Sequence, residues 1–87
     1  MLSFPIPGYT LALDLPVADG RVVSTLHSAT AAITAAGGRV YLAKDAVLTR
    51  EDFVAMYPRL SEFRNIKNHY DPDCHFRSAL SDRLGVT

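Results

Sequence analysis

Gly37-Gly38-Arg39-Val40-Tyr41-Leu42-Ala43-Lys44-Asp45 is the stretch on which the reading of this chain turns. A glycine pair suited to stopping a helix is followed by Val40 and Leu42 alternating with Tyr41 and Ala43, the two-residue period of a strand, and a lysine closes it. Upstream, Val22, Leu26, Ala29, Ile33 and Ala36 recur at three and four residues and mark one stripe of a helix over Arg21 to Ala36, with Asp19 as cap and Gly37 as left-handed stop. Before that helix, Tyr9, Leu11, Leu13 and Leu15 alternate with Thr10, Ala12 and Asp14. This spacing predicts a strand over Tyr9 to Val17, ended by Pro16 and Ala18-Asp19-Gly20. The expectation is an α+β fold with a strand, helix, strand core.

Downstream of Lys44 the pattern turns helical. Thr49-Arg50-Glu51-Asp52 has the form of a helix N-terminus, with a hydroxyl at the cap and a carboxylate three positions on. Phe53, Met56 and Tyr57 form the apolar side of that short helix, which Pro58 ends. Leu60, Phe63, Ile66, Lys67 and Tyr70 share one face of the next, Asp71-Pro72-Asp73 breaks it, and Phe76, Leu80 and Leu84 mark a last one before Gly85. Residues 1–48 therefore read as the strand, helix, strand unit and 49–87 as a tail of two or three short helices. No repeat, low-complexity tract or linker separates them.

Two strands leave a sheet incomplete, and no later segment supplies a third. Pairing strands are expected from elsewhere, either from a second copy in a homodimer or from a longer polypeptide.

The chain of 87 residues is 48% hydrophobic and 21% charged, which suits one small domain with a limited core. Nine basic residues balance nine acidic ones, three of each before Val47 and six of each after it. That balance argues against nucleic acid or an anionic membrane as partner. Cys74 has no second cysteine to pair with, compatible with a reducing compartment, and the expected location is cytoplasmic. Met1-Leu-Ser-Phe-Pro-Ile-Pro-Gly8 lacks a basic start and is broken by two prolines, so neither a secretory signal nor a membrane span is expected.

His69, Asp71, Asp73, Cys74 and His75 crowd one turn, but structural zinc takes paired ligands from two separated turns, so a solvated turn is the better reading and no metal is expected. Cys74 and His75 are adjacent and point apart, with no third group to orient a base. His27 lies off the helical stripe. Arg59, Arg64 and Lys67 interleave with Glu62 and Asp71 as a charged solvent face. A Gly-x-Ser-x-Gly elbow is missing, and the scattered glycines assemble no phosphate loop.

The order of these elements resembles the C-terminal end of FAD-linked sugar oxidases of the vanillyl-alcohol-oxidase type, in the aldonolactone oxidase and decaprenylphosphoryl-ribose oxidase branch. Gly8 to Pro16 is similar to that family's last long cap-domain strand. Gly37 to Asp45 is similar to the strand bearing its flavin-proximal tyrosine and lysine, and Phe53, Met56, Tyr57, Pro58, Arg59, Leu60 and Phe63 with Asp71-Pro72 to Phe76 are similar to its tail. The resemblance implies Lys44 as catalytic and flavin-contacting, Tyr41 as contacting flavin and substrate, and Thr10 as touching substrate. It departs at Thr10 and Ala12, where the ribose-oxidase branch carries an asparagine and a cysteine. It further implies oxidation of a sugar, sugar lactone or related alcohol by hydride transfer to FAD. The flavin would be held by an FAD-binding domain or upstream polypeptide, of which this chain would be a separated piece. The other expectation is a non-catalytic fragment or homodimerisation module derived from such an oxidase.

Overall fold

The computed structural model describes all residues from Met1 to Thr87 and contains helices but no strand. Helix α1 spans Arg21–Ala35, a single 3-10 turn Leu42–Lys44, α2 Arg50–Met56, α3 Leu60–Tyr70 and α4 Ala79–Leu84. The expected α+β fold, with its strand, helix, strand core, is thereby corrected: the molecule is all helical. Tyr9 to Val17 keeps its apolar alternation without any backbone ladder, and its side chains face solvent, Leu11 at 79% and Val17 at 84% exposure. Alternation describes one strand's own two faces, whereas a strand exists only where a neighbour takes its N–H and C=O groups. Arg39 to Tyr41 is extended as well but pairs with side chains instead of a strand, and Leu42 to Lys44 then tightens into the 3-10 turn.

The helix ends follow their local chemistry. At α2 the Thr49 hydroxyl accepts from the Asp52 N–H while the Asp52 carboxylate accepts from the Thr49 N–H, the reciprocal cap expected there. At α4, Ser78 and Ser81 make the same exchange, and Gly85 closes the helix in the left-handed region at φ 71°. Gly37, at φ 77°, stops α1. Gly20, not Asp19, stands at the N-cap of α1, yet the Asp19 carboxylate accepts from the Arg21 N–H at 2.9 Å and so still occupies a free donor of the first turn.

The core lies in the second half. Leu48, Phe53, Met56, Tyr57, Leu60, Leu84 and Val86 are buried together, with Leu2, Val40, Leu42, Phe63 and Leu80 packed against them. Helix α1 docks on α2 with Thr30 as its buried residue, so its inner face runs Val22, Leu26, Thr30, Thr34, and Ile33 turns outward. Only 10 of 87 residues are buried, and the radius of gyration of 14.3 Å exceeds the roughly 12 Å expected of a compact chain of this length. The excess reflects the extended arm from Gly8 to Asp19, whose residues are all exposed.

Candidate functional site

Tyr41 and Lys44 sit on a turn that is held firmly at both flanks and open between them. On one side, the Tyr57 hydroxyl donates to the Val40 carbonyl at 3.0 Å, and the Val40 N–H donates to Met56 Sδ at 3.3 Å. Burial pushes the Tyr57 phenol up, with Arg39 opposing, so it stays a neutral donor. On the other side, Arg83 pairs with the Asp45 carboxylate and donates to the Leu48 carbonyl at 2.7 Å, while the Leu48 N–H donates to the Asp45 carbonyl at 2.9 Å. Between these anchors the Lys44 N–H donates to the Tyr41 carbonyl at 2.8 Å and closes the turn.

The two side chains on this turn project outward. Tyr41 is 54% exposed and meets Phe4 at 5.4 Å between ring centroids. Lys44 is exposed, and among the nine Lys and Arg residues it is the one whose side chain makes no hydrogen bond or ion pair. The other eight are engaged: Arg21 with Asp19, Arg59 with Glu62, Lys67 with Asp71 and Arg77 with Asp82. Arg39, Arg50, Arg64 and Arg83 donate to the carbonyls of Ser3, Asp82, Gly85 and Leu48. Thr10, the third residue named from the sequence, lies on the exposed arm and makes no hydrogen bond.

The chemistry of Tyr41 and Lys44 suits the ring of a flavin and not its phosphates. An exposed ammonium without a carboxylate partner, three positions along the same turn from a half-exposed tyrosine, is the type of donor that a partly anionic heterocycle takes. The Gly37 N–H, by contrast, donates to the Thr34 carbonyl at 3.0 Å and the Gly38 N–H to the Ile33 carbonyl at 2.8 Å, so both amides are consumed in stopping α1. No pyrophosphate cradle remains there. Two shallow, open concavities lie elsewhere, one of about 280 Å³ beside Cys74, Arg77, Asp82 and Thr87, and one of about 260 Å³ beside Phe63, Ile66, Tyr70 and Phe76.

Reading charge from spacing alone missed an interior pair. Lys67 and Asp71, expected on a solvated face and a solvated turn, meet at 2.6 Å with side chains 13% and 8% exposed. Asp71 also accepts from the N–H groups of His75 at 2.7 Å and Phe76 at 3.0 Å, and these bonds, led by that from Lys67, hold its carboxyl down to about 2. The four-residue spacing from Lys67 on α3 to Asp71 at its C-cap was the signal for this contact. Arg64, placed on the same face, instead reaches the Gly85 carbonyl at 2.7 Å. Cys74 is the one non-glycine residue at positive φ, 53°, in the turn that Asp71 ties down.

No helix is long and apolar enough to cross a membrane. Residues 21–84 match the family described as D-arabinono-1,4-lactone oxidase. Over 85 residues the chain is 42% identical to decaprenylphosphoryl-beta-D-ribose oxidase of Mycolicibacterium smegmatis, covering 95% of this chain and 18% of that protein. Over 85 residues it is 41% identical to an uncharacterized protein in the mprA 5' region of Streptomyces coelicolor, covering 98% of this chain and 23% of that protein. The chain thus spans about a fifth of the length of these curated relatives. No solved structure matches it. With a family match running from the start of α1 to the end of α4, the chain belongs to the D-arabinono-1,4-lactone oxidase family of FAD-linked oxidases.

Proposed function

We propose that this chain forms part of an FAD-dependent oxidoreductase acting on a sugar, sugar lactone or related alcohol, and that it supplies residues to a site whose flavin is held by other polypeptide. In this reading residues 1–48 form the substrate-side portion and 49–87 the helical tail. The observation that carries it is the Lys44 ammonium, unpaired on a turn pinned at Val40 and Asp45 in a chain whose eight other cations are all engaged.

A bound flavin would accept a hydride from the substrate carbon that bears the oxidised hydroxyl. Lys44 would place positive charge where negative charge develops and donate to a substrate hydroxyl. Its carrier turn is already ordered by the core, so little reorganisation is needed when charge appears. Tyr41 would line the ring and the substrate, and Thr10 would touch substrate once its arm is ordered against a partner.

A second reading is a non-catalytic module that associates through its arm, as a homodimer or with a flavin-bearing partner. The exposed apolar residues from Tyr9 to Val17 favour association, because so much apolar surface on a small chain is a contact surface. Joining the chain to the flavin-bearing part of a relative separates the two. Flavin reduction by an aldonolactone or aldose that requires Lys44 supports the enzyme reading, and reduction indifferent to Lys44→Ala removes its basis.

A further inference from the structure

We propose that Arg39 is a positioning residue for Tyr41: its guanidinium latches the Leu2–Phe4 segment so that Phe4 fixes the ring face Tyr41 offers to a flavin. The proposal rests on the flavin-facing role given to Tyr41 above. Arg39 Nη1 donates to the Ser3 carbonyl at 2.6 Å across 36 residues of sequence. The same guanidinium lies 5.3 Å from the centroid of the Tyr57 ring, one of the fully buried aromatics. One side chain therefore joins the core to the N-terminal segment, which a planar guanidinium does well because its edge donates while its face stacks. Arg39 pairs with no carboxylate, so its charge is directed to this bridge alone.

The latch has a consequence one residue along. With Ser3 held and Leu2 packed on the core, Phe4 lies against Tyr41 with ring planes inclined at 48°. Tyr41 has no hydrogen-bond partner for its hydroxyl and is half exposed, and Phe4 is the aromatic ring packed against it. A side chain already confined to its binding orientation loses less entropy when a ligand arrives. Phe4 thus prepares Tyr41, and Arg39 prepares Phe4.

Two-dimensional NMR of the 87-residue chain reads the latch without flavin. Arg39→Gln should abolish the Phe4–Tyr41 ring contact and move the Tyr41 ring signals toward those of a free tyrosine, while amide signals of α3 and α4 stay in place. Arg39→Lys, which keeps a donor and a cation over Tyr57, should preserve both. Should Arg39→Gln lose its fold, Phe4→Leu must still move the Tyr41 signals and Arg39→Lys must still keep them. Unmoved Tyr41 signals in Arg39→Gln or in Phe4→Leu overturn the proposal. In the chain joined to a flavin-bearing part, Phe4→Leu should shift the visible flavin band at unchanged flavin content. A band moved by Tyr41→Leu and unmoved by Phe4→Leu defeats the positioning role, whereas a band unmoved by Tyr41→Leu defeats the flavin-facing reading on which it rests.

Discussion

The Tyr57 hydroxyl and the Val40 carbonyl meet at 3.0 Å, and through that bond a fully buried aromatic of the helical core sets the position of the turn bearing Tyr41 and Lys44. Removing the hydroxyl as Tyr57→Phe keeps the ring in place and leaves one carbonyl unpaired. The expected cost is about 1 kcal/mol by thermal melting. Amide exchange at Lys44, whose N–H closes the turn onto Tyr41, should quicken more than exchange in α3; equal quickening in both would show that Tyr57 does not control the turn.

Thr49 and Asp52 cap α2 reciprocally, so the cap should respond to chemistry and not to bulk. Thr49→Ala should cost about 1 kcal/mol, and Thr49→Ser should stay close to the parent. Equal melting of the two variants would mean that the hydroxyl contributes nothing.

Gly85 and Gly20 form a matched contrast. Gly85 is left-handed, and a Cβ there would stand 2.9 Å from Arg50 Nε, so Gly85→Ala should destabilise by more than about 1 kcal/mol. Gly20 has ordinary φ and open space around a Cβ, so Gly20→Ala should stay within about 0.5 kcal/mol of the parent. Denaturant unfolding of the two side by side checks the assignment.

Asp71 gives the fold an acid limit. Its carboxyl is lowered from 3.8 to about 2 in the folded chain, chiefly by the bond from Lys67, and so it stabilises fully above the unfolded value. As pH falls from 3.8 toward about 2, the unfolded chain takes up the proton first and this contribution is lost. Asp71→Asn should flatten the stability curve across that window; an unchanged acid slope would remove Asp71 as its source.

Most of the helical tail was legible because its signals are local. Thr49 with Asp52, Asp71-Pro72 and Gly85 each act within a turn of themselves, and α2, α3 and α4 begin or end where they point. Tyr9 to Val17 was misread because a strand's second requirement, a pairing neighbour, is not written in its own residues. The helical stripe slipped onto Thr30 for a related reason: which face of α1 is inside depends on how α2 meets it. The two residues named on the turn, Tyr41 and Lys44, came from family resemblance. Their anchoring by Met56, Tyr57 and Arg83 joins positions 16 to 38 apart, beyond the reach of periodicity. Phe76, expected on the last helix, lies outside α4 and is exposed, because the Asp71 carboxylate draws the His75 and Phe76 amides into a turn.

Lys44 carries the central claim, and Lys44→Ala in a chain joined to its flavin-bearing part tests it most directly. The exposed, unpaired side chain predicts a melting curve within about 0.5 kcal/mol of the parent, together with substrate-driven flavin reduction slowed roughly 100-fold. Flavin reduction at the parent rate, with the same fold and flavin content, would contradict the account.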